Sequence, residues 1–292
     1  MSAQIAEIGT FTVDDALHAY VDSAFASGID DGYESLRRLN TETVGKLLLG
    51  MPQEYDHAAS ALPLMAADEV QKNWTGSAGE HLLTQSAAFI NAIVSRYKKH
   101  VFAPLADAAV LDYGCGWGRL IRLMYAHSRP ENIFGCDPWD KSIQLCLDAN
   151  IRANLAVSEY VPSELPFDSK FHLIYAFSVF THLSQKTADA VMSTLRKYVD
   201  EYGLLVITIR PETYWPHDPK FSVRADELQQ SHRDTGFAFV PHRRDAIDGD
   251  ITYGDTSMSL EYVAERWPDW KIVETEIHSY DPHQRVVYLQ PV

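Results

Sequence analysis

The sequence predicts an α/β fold: a doubly wound, mostly parallel sheet of seven strands that closes with an antiparallel hairpin and is preceded by a helical extension. Three observations carry that prediction. Between residues 109 and 209, short apolar runs alternate with segments of helical period, as strands joined by crossover helices do. The runs are apolar almost throughout rather than at every second residue, which requires a sheet covered on both faces. The last two strand-like runs are joined only by a short link around Tyr280, Asp281, Pro282 and His283. That link is too short for a crossover helix, so the final pair must be antiparallel.

In chain order, Thr12 followed by Asp15 makes a capping-box-like start, and Val13, Ala16, Tyr20, Val21 and Ala24 give a helix that stops near Gly28. Helices are also predicted over 33–39 and 41–49, the second ended by Gly50 and Pro52. Residues 1–73 thus form a helical extension, either a lid or simple packing. A helical turn over 68–74 ends at Trp74, the chain breaks over 75–79, and a longer helix carries Leu83, Ala87, Ile90, Val94 and Tyr97 on one face. The core, residues 74–292, continues with strands over 109–111, 133–136, 154–157, 171–177 and 204–209, and helices over 117–127, 141–150 and 186–199. Residues 211–258 are polar, bear histidines and aromatics, and show little periodicity. They are too long for a plain connection and are expected to be a substrate loop or small lid. A helix over 260–267 and strands over 271–278 and 285–290 complete the chain.

Composition narrows the partners. The 292 residues hold 25 Lys and Arg against 40 Asp and Glu, a formal charge of -15, which disfavours a nucleic-acid partner because phosphates demand clustered cations. Pairs such as Lys98-Lys99 and Arg243-Arg244 read as solvated faces. The opening MSAQIAEIGT has neither a basic leader nor an apolar core, and no run approaches the roughly 18 apolar residues of a membrane span. Cys115, Cys136 and Cys146 are odd in number and lack zinc-type spacing. Reduced cysteines and a cytoplasmic location are expected. No metal site is expected either, since neither His217-Asp218 nor Asp281-Pro282-His283 has a helix-spaced ligand set.

The chemistry centres on the turn VLDYGCGWGR at 110–119. Glycines at 114, 116 and 118 between a strand and a helix allow positive φ and a close approach of ligand to main chain. Asp137, about 20 residues on at the end of the next strand, is placed to accept hydrogen bonds from ribose hydroxyls. A dinucleotide site follows from that pairing, but the spacing opposes it. The dinucleotide fingerprint needs Gly or Ala where Arg119 stands, and Trp117 occupies the approach a pyrophosphate would need.

With Asp112 before Gly114, Gly116 and Gly118, and Asp137 in second place, the chain resembles the class I S-adenosylmethionine-dependent methyltransferases, whose first motif is an acidic residue followed by GxGxG. Leu165-Pro166-Phe167, the string Ser178 to Leu183, Gly203-Leu204 and the closing hairpin are similar to the same family, from Trp74 to Val292 in order. The resemblance implies a Rossmann-like fold and S-adenosylmethionine as cofactor, with S-adenosylhomocysteine as product. It also implies roles for single residues. Gly114, Cys115, Gly116 and Gly118 admit the methionine portion, and Asp112 supports the turn and the amino group. Asp137 takes the ribose, Pro138 and Trp139 face adenine, and Ser158 and Glu159 reach its edge or form an ordinary polar loop. Phe177 and Ser178 lie beneath the sulfonium, while Trp74 caps a ligand or belongs to the core.

A sulfonium methyl is already activated, so the enzyme has to align a nucleophile and remove a proton where necessary. His182, after the fourth strand, is a candidate base or a structural histidine. Arg210, Tyr214, Trp215 and His217 cluster after the fifth strand and suit a ring-bearing, hydroxylated or anionic small-molecule acceptor, methylated on oxygen or nitrogen, or they simply pack the insertion. The turn and the ending Gln284 to Tyr288 look like members acting on sugars and secondary metabolites. An NAD-type oxidoreductase and a cofactor-binding protein without catalysis are the competing readings. Oligomeric state is not encoded in any of these features.

Overall fold

A computed structural model describes residues 14–247 and 249–292. The extension consists of α1 (Asp15–Ser27), α2 (Ile29–Leu36), α3 (Thr41–Leu49), α4 (Asp56–Ala61) and α5 (Asp68–Thr75), followed by the long α6 (Gly79–His100). Thr12 and Val13 lie outside the described residues; Asp14 is the N-cap, accepting from the Leu17 N–H. The second helix starts at Ile29, earlier than expected, because Gly28 ends one helix and caps the next. Helix α4 was absent from the sequence reading: DHAASA is too short to display a period.

The sheet contains β1 (Val110–Tyr113), β2 (Ile133–Asp137), β3 (Asn154–Val157), β4 (Phe171–Ala176), β5 (Val199–Ile209), and the late strands β8 (Trp270–His278) and β9 (Asp281–Pro291). Between β5 and β8 the insertion supplies a separate pair, β6 (Phe237–Pro241) and β7 (Gly254–Met258). The seven-stranded order is β3-β2-β1-β4-β5-β9-β8. Strands β1 to β5 pair parallel, whereas β9 runs antiparallel to β5 and to β8. This is the seven-stranded, mostly parallel sheet with a closing hairpin that the sequence predicts.

Alternate residues of each strand enter two cores. Val110, Leu173, Tyr175, Leu204, Val206, Val286 and Tyr288 face α6, α7 (Arg119–Met124), α8 (Asp140–Asp148) and the extension. Leu111, Ile174, Ala176, Leu205, Ile207, Val287 and Leu289 face α9 (Gln185–Tyr198) and α12 (Leu260–Arg266). Helix α7 is shorter than the sequence suggests. Gly118 stands before it at φ +75, so Trp117 belongs to the turn.

The insertion is folded, although its sequence shows little period. It builds α10 (Tyr214–His217), α11 (Ala225–Thr235) and the β6–β7 pair around a small core of Tyr214, Trp215, Phe221, Ala225, Leu228 and Ala238. Helix α11 buries only Ala225, Leu228 and His232, and β7 is buried along its whole length although Asp255, Thr256 and Ser257 are polar. Neither element offers a hydrophobic period. Strand β7 lies against the loop after β4: Thr256 N–H donates to Thr181 O at 2.9 Å, Gly254 N–H to His182 O at 2.8 Å, and Ser184 N–H to Thr252 O at 3.1 Å.

Strand order reverses between β1 and β4, and in such sheets the crevice outside the carboxyl ends of the strands at this switch point is the usual ligand position. No helix among the described residues is long and apolar enough to cross a membrane. The extension shares the first core: Val21, Leu36, Val44 and Leu47 are fully buried with Ile90, Ile93 and Leu123. Leu47→Ala should therefore lower the stability of the whole chain by about 3 kcal/mol, the usual cost of a core truncation. Urea unfolding should show one shifted transition; a separate early one would mean that the extension melts independently.

Candidate active site

Four loops at the carboxyl edge form the crevice. In the first, Gly114, Gly116 and Gly118 have φ of +76, +55 and +75. A Cβ on Gly114 would come 2.5 Å from Val179 Cγ2, and one on Gly118 would come 2.2 Å from Ile151 Cδ1; larger residues are excluded there by conformation and by space. The Asp137 carboxylate holds this loop to the end of β2. Its Oδ2 accepts from Gly116 N–H at 3.0 Å, and its Oδ1 from Trp139 N–H at 2.9 Å and Ser142 Oγ at 3.0 Å. A carboxylate has about four acceptor sites, so these three bonds leave one of them open. Burial raises the Asp137 pKa, and the three hydrogen bonds work against that rise.

Asp112 is 2% exposed, and its Oδ2 has no hydrogen-bond partner. Burial drives its pKa up to about 8, with the Arg119 charge opposing and Asp137 reinforcing. Arg119, itself pushed down to about 10 by burial, donates to Ser86 Oγ at 3.0 Å and lies 5.1 Å from the Phe177 ring centre. Ser158 is buried with an unpartnered Oγ, while Glu159 is exposed. Trp74 and Trp139 stack on one another at 5.2 Å. Pro138 and Cys115 sit in the β2 and β1 loops, Cys115 buried with Cys136 and Cys146, all three free thiols.

On the far side of the crevice Ser178 ends β4 at φ +60, a conformation costing an L-residue roughly 1–2 kcal/mol. It is held by Thr208 Oγ1, which accepts its N–H at 2.7 Å, and by Gln284 Nε2, which donates to its Oγ at 3.1 Å. Next to it stands a polar cluster centred on Asp255, 2% exposed. Asp255 accepts from Arg210 Nη1 at 2.9 Å, Tyr214 Oη at 2.9 Å, His242 Nε2 at 2.7 Å and Lys220 Nζ at 3.0 Å. Burial opposes its ionisation, but the bonds from His242 and Lys220 and the Arg210 charge outweigh it and hold Asp255 far below the usual carboxylate range.

His182 borders this cluster. Its Nδ1 is 2.7 Å from Gly254 O; a carbonyl can only accept, so Nδ1 carries the proton and Nε2 is an acceptor, met by a long hydrogen bond from Arg210 Nη2. Arg210 Nη2 lies 3.4 Å from Nε2, and Tyr253 stacks on the ring at 4.8 Å. Burial first, then the Arg210 charge, brings the imidazole down to about 4, so it is neutral at pH 7.

Residues 110–203, about a third of the chain, match a family model described as a methyltransferase domain. That stretch, from β1 into β5, carries the methyltransferase-domain pattern. No curated protein sequence matches the chain. The chain is similar to several solved structures. One is a magnesium protoporphyrin IX methyltransferase from Synechocystis with bound S-adenosylhomocysteine: 15% identity, TM-score 0.48, covering 77% of this chain and 94% of that one. Another is a glycopeptide N-methyltransferase complexed with sinefungin: 10% identity, TM-score 0.49, covering 71% and 94%. A third, an S-adenosylmethionine-dependent methyltransferase from Clostridium acetobutylicum, has 13% identity and a TM-score of 0.47, covering 71% and 90%.

Of the residues that the sequence singles out after the fourth and fifth strands, the structure brings together His182, Arg210 and Tyr214. Trp215 is fully buried in the core of the insertion, its Nε1–H donating to Ser257 Oγ at 2.8 Å, and His217 is exposed with its ring 4.1 Å from that of His283. Asp255, His242, Tyr253 and Lys220 escaped the sequence reading, because a polar strand in an insertion without period gives no signal of burial. Asp255→Ala leaves the mostly buried Arg210 without its counterion and should cost roughly 3–5 kcal/mol at pH 7. A depressed carboxylate contributes stability above its unfolded pKa and loses it as pH falls. The deficit in urea unfolding should therefore shrink as the pH is taken below the ordinary carboxylate range.

Proposed function

We propose that the protein transfers the methyl group of S-adenosylmethionine to an oxygen or nitrogen of a small molecule. The observation that carries the cofactor assignment is the buried Asp112 Oδ2, which has no donor and directly precedes a loop of three glycines at positive φ. An unsatisfied buried acceptor costs about 1–3 kcal/mol, and an ammonium group satisfies it. The other residues fit the same ligand. Asp137 offers its remaining acceptor site to a ribose hydroxyl, Trp139 and Pro138 offer an apolar face to adenine, the Ser158 hydroxyl is free at the end of β3 with Glu159 beyond it, and Phe177 and Ser178 floor the crevice.

When bound, S-adenosylmethionine supplies a methyl group on a sulfonium, already activated toward displacement. The work left to the chain is alignment and proton removal. His182 Nε2 is unprotonated at neutral pH and takes the proton of the acceptor hydroxyl or amine. Gly254 O fixes the tautomer, and Tyr253 fixes the ring plane. Arg210 and Tyr214, tied down by Asp255, form the polar wall against which the acceptor rests. The insertion covers this side, which favours an acceptor small enough to be enclosed, and the net charge of -15 disfavours nucleic acid.

Isothermal titration with S-adenosylmethionine tests the assignment, and absence of heat at millimolar ligand would sink it. A finer outcome follows from Asp112. Its carboxyl is largely protonated in the free chain at pH 7 and must ionise against the ligand ammonium. Binding should release up to one proton, seen as a dependence of the heat on buffer ionisation enthalpy, and Asp112→Asn should abolish that release. For the base, His182→Ala should reduce S-adenosylhomocysteine formation across a panel of hydroxyl and amine acceptors by at least about 100-fold, within the range for general-base removal. Cofactor affinity should be unchanged; turnover within twofold of the parent would remove His182 from the chemistry.

A further inference from the structure

The two indoles at the mouth of the crevice satisfy each other. Trp74 and Trp139 have ring centres 5.2 Å apart and planes 22° from parallel. Trp74 also lies across the glycine loop, its Cζ3 3.3 Å from where a Cβ on Gly116 would stand. Both rings keep a solvent face, at 36% and 43% exposure. A third ring cannot enter a stack of this spacing, since two layers of contact at about 3.5 Å each require the outer rings to stand roughly 7 Å apart.

The two partners are held differently. Trp139 is anchored by its N–H on Asp137 Oδ1 at 2.9 Å and forms the N-cap of α8. Trp74 is the last residue but one of α5, and the chain leaves it through Gly76 and Gly79, at φ +78 and +61. Neither glycine has another group within 4 Å of its Cβ position. One ring belongs to the sheet edge, then, and the other stands beside a glycine-bounded connector that is held by hydrogen bonds to Gln71, Thr75 and His81 rather than by side-chain packing at its glycines.

Building on the reading of the crevice as a nucleoside site, we infer that Trp74 is a displaceable stand-in for a purine base. In the free chain it occupies the face of Trp139 that the base takes in the complex. The nucleoside part of the ligand, rather than its amino-acid part, is what opens the pair. Trp139 is the platform in both states and Trp74 the competitor, so the free-state stack counts against binding.

The test reads the stack directly. Two stacked indoles give an exciton couplet in far-ultraviolet circular dichroism, expected in the free protein and lost in Trp74→Phe; a parent protein without it overturns the inference. Adenosine and S-adenosylhomocysteine should each abolish the couplet, whereas homocysteine should leave it intact. Calorimetric binding of S-adenosylhomocysteine with the couplet preserved overturns the displacement and leaves the methyltransferase reading standing; absence of any binding heat overturns both. Trp74→Ala should bind S-adenosylhomocysteine at least as tightly as the parent, and Trp139→Ala about tenfold or more weakly, the scale of losing one base-stacking platform. A tenfold loss in Trp74→Ala would make Trp74 a wall of the bound state and refute the stand-in role.

Discussion

The crevice depends on one carboxylate. Asp137 ends β2, and through Gly116 N–H, Trp139 N–H and Ser142 Oγ it ties together the loop after β1, the loop after β2 and the start of α8. Three glycines at positive φ form a loop with little conformational preference of its own, because glycine loses more backbone freedom on folding than any other residue. The hydrogen bond from Gly116 to Asp137, with those from Gly114 and Cys115 to Cys136 O, gives that loop one shape. The same carboxylate is left with a single acceptor site for a ligand, so structural and binding roles compete for four lone pairs on one side chain.

The acceptor side has a second carboxylate with the opposite character. Asp255 is saturated by Arg210, Tyr214, His242 and Lys220, and it serves the site only through the groups it holds. Because β7 pairs with the loop after β4, Asp255 reaches residues far away in sequence and locks the insertion onto the sheet edge. A buried ion pair of this kind adds little net stability compared with apolar packing, but removing one member is costly. What the arrangement secures is geometry: Gly254 O sets the His182 tautomer, and Asp255 and Thr181 O hold Arg210 Nη1 while Nη2 faces His182 Nε2.

The division between what the sequence revealed and what it hid follows from these two arrangements. The cofactor side was legible because its constraints are local. Glycines two apart demand positive φ at a turn, and an acid at the next strand end is placed by strand length alone. The order of strands and the closing hairpin were legible for the same reason, each resting on the length of an apolar run or a connection. The acceptor side was legible only up to Arg210 and Tyr214, which directly follow a recognisable strand. Trp215, one residue further round a helical turn, points into the insertion's own core instead. Asp255 acquires its role from tertiary pairing with a loop some seventy residues earlier, and nothing in its neighbours Gly254, Thr256 and Ser257 distinguishes it from an exposed turn.

Some of the buried polar atoms without a partner lie where the strands end: Asp112 Oδ2, Ser158 Oγ, Tyr175 Oη and Gln284 Oε1, in or next to the carboxyl halves of β1, β3 and β4 or the start of β9. Others, such as those of His18, Tyr33, Tyr97 and Ser128, lie in the extension and behind the sheet, so an unpaired group is not by itself the mark of a site. What sets the strand-end atoms apart is their company, since Ser178 adds backbone strain at the same edge and Asp112 directly precedes the turn with three glycines at positive φ. Each unpaired atom costs stability, and a ligand that supplied the missing partners would offset that cost by binding the folded chain alone.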